Sequence, residues 1–331
     1  MHYSDRKKQP FRQVGTAAEK EGLRMAGKPK NKKSPAGADR RLFDALSYVI
    51  LFVLSFLCAL PFLLVISGSF SQQTDILMHG YRLFPEKVSL DAYKMLFKIP
   101  EELLRAYGVT IFVTVTGTFF GLWFTSMAAY VIASKDFRYR YQVSFFFYFT
   151  SIFGGGLVPW YVFNTKYLHF HNNLIALILP ILVNETYLLI LKSYMMNIPD
   201  SLYESARLDG AGDFTIYWRI VMPLTKSGLA TVGLFIALAY WNDWYNAMLY
   251  IKKEEMYPLQ YFLYQKINGI EAYKKLLANG NVSGDVVSAV SLPTQTLKMA
   301  LTIVVTGPIV LAYPLVQRYF VQGMTIGAVK G

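Results

Sequence analysis

Apolar and polar residues follow one another along this chain in long blocks. Six mostly apolar runs stand out, separated by segments that contain charged residues, Gly or Pro. A helix needs roughly 20 mostly apolar residues to cross the hydrocarbon core of a membrane, and each run reaches about that length. The six runs are Leu46–Ser67, Tyr107–Ser134, Val143–Phe163, Leu174–Met196, Gly228–Tyr250 and Leu297–Val316.

The order of residues within these runs distinguishes helices from strands. Strands of a membrane barrel alternate apolar and polar residues, and the runs lack that alternation. Only helices and closed barrels satisfy their backbone groups in lipid, so the sequence predicts an all-α polytopic membrane protein with six transmembrane helices. The composition agrees, because 54% of the 331 residues are hydrophobic, whereas soluble domains have about 45–50%.

Positive charge is concentrated near the N-terminus. Twelve Lys and Arg residues precede Leu42, against four acidic residues and very few aromatic ones. This composition predicts a disordered basic tail over residues 1–41 that contacts anionic membrane lipid. A nucleic-acid-binding arm is not expected, since stacking aromatics are not interleaved with the charges. Twenty Lys and Arg residues fall on one side of the predicted membrane and twelve on the other, which predicts that both termini are cytoplasmic.

The polar loop 199–223, between the fourth and fifth runs, contains recognisable helix boundaries. Ser201 and Glu204 have the spacing of a capping box, which predicts a short helix over Leu202–Leu208. Gly210 is then expected to end this helix in the left-handed conformation.

A second short helix is expected in the same loop. Asp213 is positioned to cap it, and it is predicted to cover Phe214–Met222. The loop is therefore predicted to form a hairpin of two short helices on the cytoplasmic face.

This loop also resembles the EAA loop of bacterial ABC-importer permeases. In that pattern Glu-Ala-Ala is followed by three residues, Gly, nine residues, Ile, one residue and Leu-Pro. The residues at those spacings are Glu204, Ala206, Gly210, Ile220 and Pro223, while Ser205 replaces the first Ala and Met222 the Leu. The resemblance implies a type I ABC importer permease fold with a cytoplasmic coupling helix. It assigns coupling to an ATPase subunit to Glu204, Ser205, Ala206, Asp209 and Gly210.

The chain lacks the Gly-x4-Gly-Lys-Ser/Thr phosphate loop. It is therefore expected to be a transport subunit and not an enzyme, with no cofactor of its own. The resemblance implies that two separate ATP-binding subunits bind ATP and Mg²⁺. It further implies a second permease subunit and an extracytoplasmic sugar-binding protein or lipoprotein, in the plasma membrane of a bacterium.

Three further stretches resemble carbohydrate importers. The segment Trp241–Asn246 and the C-terminal Gln317–Gly331 are similar to permeases of the maltose type. Gly154–Trp160 is similar to the branch for oligosaccharides such as aldouronates or pectin fragments. The resemblance covers Asp44–Gly331 and implies that the substrate is an oligosaccharide.

Polar residues inside the apolar runs are candidates for the translocation pathway. Glu185, at the centre of the fourth run, reaches neither interface and is expected to face the bundle interior. In the fifth run, Trp241, Asn242, Asp243 and Asn246 place an aromatic face and hydrogen-bonding groups on one and a half helical turns. An equally open alternative is that the Trp residues lie in an interfacial belt and the polar groups pair with neighbouring helices. Glu185 and Asp243 also allow a different function, an ion-coupled secondary transporter, in which the hairpin has no role.

No metal site is predicted. His169 and His171 are one residue apart, but two ligands without a third are typical of an exposed loop. Cys58 is the only cysteine, so no disulfide forms within the chain.

The remaining segments carry weaker signals. Gly154-Gly155-Gly156 interrupts the third run, either because the backbone lines a cavity there or because two helices cross closely. A short amphipathic helix is expected over Ser89–Phe97. Ile251–Thr296 is interpreted as a long outer loop with a mobile tip at Asn279–Gly284.

Overall fold

The computed structural model describes residues 38–98, 100–278 and 294–328. Most of the predicted tail and the stretch Asn279–Gly284 lie outside these ranges. Helix already begins at Ala38, and the division of the chain at Leu42 stays a prediction. The described residues up to Leu60 belong to one unit and those from Pro61 onward to a second. The packing described below lies within the second unit.

The described chain is helical, and its two extended pairing residues are Ser71 and Val88, which form a single antiparallel bridge. Two π-helical segments are Phe163–Tyr167 and Tyr217–Val221. Two 3₁₀ segments are Leu179–Ile181 and Glu254–Met256. The α-helices are α1 Ala38–Ser69, α2 Gln73–His79, α3 Asp91–Leu96, α4 Pro100–Ala133, α5 Arg140–Ile152, α6 Leu157–Val162, α7 Ile175–Ile178, α8 Glu185–Met195, α9 Asp200–Leu208, α10 Asp213–Ile216, α11 Met222–Leu224, α12 Lys226–Trp241, α13 Tyr245–Tyr250, α14 Leu259–Ala278 and α15 Thr294–Ala328.

Three helices are long and apolar enough to cross a membrane: α1, α4 and the Thr294–Leu311 part of α15. Three bent pairs pass the same test only when their two limbs are taken together. The pair around α5 and α6 is bent by 110°, the pair leading into α8 by 52° and the pair leading into α12 by 84°. The first, second and sixth apolar runs are therefore confirmed as long helices.

The prediction that the third, fourth and fifth runs each form one uninterrupted helix is wrong. In the third, the chain leaves the helix after Ile152, and Gly156 has a φ of 82°, which favours glycine. A Cβ on any of the three glycines would meet nothing within 4 Å, so no described helix crosses closely there. In the fourth, a 3₁₀ turn at Leu179–Ile181 precedes a new helix at Glu185. In the fifth, helix α12 ends at Trp241 and α13 begins at Tyr245.

Helix α4 is the centre of the second unit. It packs against α8 and α12, which also contact each other, and α15 packs against α12 and α14. Two glycines one turn apart on α4 permit this closeness. A Cβ on Gly117 would lie 2.4 Å from the ring of Tyr240, and a Cβ on Gly121 would lie 2.9 Å from the carbonyl oxygen of Leu182. The Tyr240 hydroxyl donates to the carbonyl oxygen of Ile178 at 2.8 Å. This bond ties α12 to the end of α7, and the two glycines leave room on α4 for both.

Two clusters of buried side chains form the core. The larger joins α4, α8 and α12 and continues into the hairpin through Ala206 and Ile216. The smaller lies where α3, the N-terminal part of α4, α14 and α15 meet. Its members are Leu96, Leu103, Ala106, Leu259, Phe262, Leu301 and Val305.

Helix α14 lies within the segment that the sequence analysis interpreted as a loop. It is amphipathic, too polar to pass as an apolar run, and it turns Leu259 and Phe262 into the smaller cluster. The predicted helix over Ser89–Phe97 is confirmed in shorter form as α3, with the Ser89 hydroxyl accepting from the Asp91 N–H at 3.1 Å.

Candidate functional site

Helix α9 forms the first limb of a short helical hairpin. It begins at Asp200 with Pro199 as the preceding cap residue, and no side chain caps it. The predicted capping box of Ser201 and Glu204 is therefore wrong, because the helix starts one residue before Ser201. Proline is favourable at this boundary, since it lacks the N–H that a helix start leaves unpaired.

The end of α9 agrees with the sequence prediction. Gly210 has a φ of 78°, the left-handed conformation expected of it. The Ala211 N–H donates to the Ala206 carbonyl and the Gly210 N–H to the Arg207 carbonyl, both at 2.9 Å. These two bonds define a Schellman motif, which satisfies the last carbonyls of the helix and turns the chain sharply.

The second limb of the hairpin differs from the prediction in two respects. Gly212, not Asp213, occupies the cap position of α10. The helix then widens into a π segment over Tyr217–Val221 before α11. Asp213 instead directs its carboxylate toward the Arg207 guanidinium at 3.7 Å, which links the two limbs.

Three large apolar side chains of the hairpin are exposed. Leu208 is 89% exposed, Phe214 62% and Trp218 46%. Glu204 and Asp209 are exposed beside them, whereas Ala206 is buried under the hairpin at 8%. Exposed apolar residues rimmed by polar ones mark interaction surfaces in proteins. We call this the hairpin face.

Charged residues join the base of the hairpin to the loop that follows α4. Lys135 pairs with Asp200 and Asp136 pairs with Arg207. Beneath them lies a cavity of about 200 Å³, lined in part by Tyr203 and Glu204. Burial raises the pKa of Tyr203, and the nearby Asp200 carboxylate adds to the shift.

A separate cavity of about 320 Å³ lies where the fourth and fifth apolar runs are broken. We call it the break cavity. Its size falls within the range of small-molecule sites, about 300–1,000 Å³. It is lined by Ile181, Asn184, Tyr187, Ala239, Asn242, Asp243, Trp244, Tyr245 and Asn246.

Hydrogen bonds fix the polar groups of the break cavity. The two carboxylate oxygens of Asp243 accept from the backbone N–H of Asn246 at 3.1 Å and from its side-chain amide at 2.9 Å. The Asn242 amide donates to the Leu238 carbonyl at 2.9 Å, and Asn184 caps α8 by accepting from two backbone N–H groups. The side-chain amides of Asn242 and Asn246 each use one of their two N–H donors in these bonds, so each offers an acceptor oxygen and a second N–H to a ligand that carries hydroxyl groups.

The structure brings together three of the five predicted pathway residues. Asn242, Asp243 and Asn246 line the break cavity, although the helix is interrupted between them and they do not share a helical face. Trp241 instead packs against the smaller core cluster, and its indole N–H is buried with no partner among the described residues. Glu185 is the first residue of α8, beside the break and not at the centre of a helix. Whether any of them contacts substrate stays a prediction.

Comparisons with known proteins agree on one family. No protein-family model matches the chain. It is 36% identical over 294 residues to the polygalacturonan/rhamnogalacturonan transport system permease protein YtcP of Bacillus subtilis, covering 88% of this chain and 99% of the relative. The protein LplC of Bacillus subtilis is 37% identical over 291 residues, covering 88% and 96%. The chain belongs to the permease subunits of sugar ABC transporters.

A solved structure supports the same assignment for the fold. The permease is similar to a chain in the crystal structure of a bacterial ABC transporter involved in the import of the acidic polysaccharide alginate. The TM-score is 0.73 with 28% identity, covering 86% of the permease and 98% of that chain. The family implies a multi-pass protein of the bacterial inner membrane that works in a complex with a binding protein and an ATPase. The ion-coupled transporter built on Glu185 and Asp243 is not favoured.

Several cavity residues of the permease were missed from the sequence. Asn184 and Tyr187 come from the fourth run, and Trp244 and Tyr245 from the fifth. A polar residue followed by Glu after an apolar stretch, as in Asn184-Glu185, is a helix-start signal. It was obscured because the run was interpreted as one continuous helix.

Among the described residues, one group of side chains has the chemistry to ligate a metal. Asp75, His79 and Glu86 have ligand atoms within 4.8 Å of one another. Glu86 is already paired with Arg82, which leaves two uncommitted ligands, too few to define a site. His169 and His171 are both exposed in a loop, as expected.

Proposed function

We propose that this permease subunit forms one half of a membrane pathway through which an ATP-driven importer moves oligosaccharides. The observation that carries the proposal is the hairpin face, where three large apolar side chains are exposed on a hairpin anchored to the core by Ala206. Exposed apolar side chains rimmed by polar ones mark surfaces that bind another protein. The ATP-binding subunit is the partner we assign to it, with α9 as the coupling helix.

The residues for this contact are those at the matching positions of the EAA pattern. Glu204, Ser205 and Asp209 supply exposed polar groups next to the apolar side chains, Ala206 fits α9 to the core, and Gly210 makes the turn between the limbs. ATP and Mg²⁺ would be bound by two partner subunits, and this chain would carry no cofactor.

We propose six membrane spans, with each bent pair counted as one span and both termini in the cytoplasm. The excess of Lys and Arg in the tail, the loop after α4 and the hairpin supports this orientation. Residues 1–41 would form a basic cytoplasmic tail touching anionic lipid, and 42–331 the permease domain, which pairs with a second permease.

The opposite end of the bundle would then face the binding protein. A cavity of about 720 Å³ lies there between α4 and α14. It is lined by residues of both charges, including Glu102, Arg105, Lys253 and Lys266. Charged rims of mixed sign are suited to a reversible protein contact. We assign this end to the extracytoplasmic sugar-binding protein or lipoprotein.

The break cavity is the proposed substrate pathway within this subunit. Acceptor oxygens of Asn242, Asp243 and Asn246 lie beside the aromatic rings of Tyr187 and Tyr245. Sugars present hydroxyl donors at their edges and C–H groups on their faces. The acceptor oxygens suit the hydroxyl groups, and the aromatic rings suit the C–H faces. Broken helices are common where transporter backbones line a cavity. Trp241 and Glu185 stay candidates that would act from beside the cavity.

The test is co-purification followed by coupled assays. The complex isolated through this chain is expected to contain ATPase subunits and a second permease. Glu204→Lys and Gly210→Pro should abolish sugar-stimulated ATPase activity while the chain still inserts, because proline has no access to a φ of 78°. Gly210→Asn and Glu101→Lys are the matched controls, since Asn tolerates this conformation and Glu101 lies at the other end of α4. Full transport by both hairpin variants would refute the proposal.

A further inference from the structure

The loop after α4 contacts both ends of the coupling helix. Lys135 and Asp136 lie two and three residues after Ala133, the last residue of α4. Lys135 pairs with Asp200 in the first turn of α9, and Asp136 pairs with Arg207 in its last turn. These two α9 residues are about two helical turns apart. The loop therefore fixes both the position and the direction of α9.

Contacts within the bundle add to these pairs. The ring of Tyr130, in the last turns of α4, lies 5.5 Å from the ring of Tyr217 in the second limb. The hydroxyls of Ser126 and Tyr217 are 2.7 Å apart in a buried hydrogen bond. Arg207 also faces Asp213, so its guanidinium connects the loop with both limbs of the hairpin. The C-terminal end of α4 thus holds the hairpin through polar and aromatic contacts alike.

The N-terminal end of α4 is attached to α14. The Thr110 hydroxyl accepts from the Leu259 N–H at 2.7 Å, and Glu102 pairs with Lys266 at 2.7 Å. Helix α4 has 34 residues without an interruption, a length of about 50 Å. The covalent routes out of the hairpin are less direct, because one passes through a bend of 84° before α12 and the other through α8, which is preceded by a bend of 52°.

We propose that Lys135 and Asp136 are positioning residues that fasten the coupling helix to α4, so that α4 transmits the movement of a docked ATPase subunit to α14. The inference rests on the proposed function of the hairpin. The side chains of Lys135, Asp200 and Asp136 are 55–68% exposed, and that of Arg207 is 39% exposed. Exposed pairs change an equilibrium by about fivefold at most, so the expected effect is on coupling and not on folding.

The experiment measures sugar transported per ATP hydrolysed by the whole complex in proteoliposomes. Lys135→Gln and Asp136→Asn should each lower this ratio by roughly two- to fivefold. Asp136→Glu, which keeps the negative charge, should give the wild-type ratio. Asp136→Asn should have no further effect in an Arg207→Gln background, because the two changes remove the same pair. Arg138→Gln is the matched control, since Arg138 is exposed in the same loop and lies over the ring of Tyr139, not against α9.

The outcomes separate this inference from the proposed function. If the wild-type complex lacks ATPase subunits, the hairpin assignment itself fails. If the subunits are present and Asp136→Asn gives the same ratio as Arg138→Gln, the positioning role is refuted while the hairpin assignment stands. If Asp136→Asn releases the ATPase subunits, the loop contributes to docking, which also refutes the positioning role.

Discussion

The close approach between α4 and α12 gives the sharpest prediction of stability. Gly117→Ala would place a Cβ 2.4 Å from two atoms of the Tyr240 ring and 2.7 Å from a third. Carbon atoms in contact normally lie about 3.5–4.0 Å apart, so the ring must move by about 1 Å. The Tyr240 hydroxyl bonds the Ile178 carbonyl at 2.8 Å, and that displacement would break the bond.

The expected magnitude follows from these two losses. Overpacking a tight interior contact costs about 1–3 kcal/mol, and a lost hydrogen bond about 0.5–1.5 kcal/mol. Gly117→Ala should therefore destabilise the subunit by about 2–4 kcal/mol. The apparent melting temperature of the purified complex should fall by roughly 3–6 °C. Transport should fall as well, because Ile181 and Ala239, beside the displaced groups, line the break cavity.

Gly108→Ala is the matched control on the same helix. A Cβ there would meet nothing within 4 Å, so the change should be neutral or stabilising by up to about 1 kcal/mol. A second check combines Gly117→Ala with Tyr240→Leu, which removes the ring, and the pair should be less harmful than the sum of the two changes. Equal melting temperatures for Gly117→Ala and Gly108→Ala would refute the reasoning.

Two further predictions concern the break cavity. Asn242→Ala removes an exposed amide that bonds only within its own helix in the described structure. It should raise the KM for sugar uptake by up to about tenfold while basal ATPase activity is unchanged, and a parallel fall of both activities would make Asn242 a packing residue. Asn184→Ala removes the cap of α8 and should lower stability by about 1 kcal/mol, with Asn184→Ser nearly neutral in thermal melts; equal losses for the two variants would argue against the capping role.

Some local features of this fold were predictable from the sequence, whereas the helix caps at Ser201 and Asp213 and the long-range contacts were not. The left-handed turn at Gly210 depends on a single residue and its immediate neighbours, so the sequence identified it. The breaks at Asn184 and Asn242 were missed because one polar residue hardly changes the average hydropathy of a 20-residue run. The sequence analysis used Lys135 only as a positive charge in the count that set the orientation. Its pairing with Asp200 was not predictable, because the two residues are 65 positions apart in the chain. Trp241 and Asn242 are neighbours in the chain, but α12 ends between them. As a result Trp241 packs against the smaller core cluster and Asn242 lines the break cavity.

The bent pairs have a consequence for the synthesis of this permease. Helix α5 has 13 residues, or about 20 Å, less than the roughly 30 Å of the hydrocarbon core. With each bent pair counted as one span, as proposed above, neither limb crosses the bilayer alone, and the insertion machinery would have to accept both limbs together. These segments should insert poorly in isolation and should need α4 already beside them. The continuous helices α1 and α4 precede the first bent pair in the chain. They therefore leave the ribosome first, and α4 is present when the bent pairs are inserted.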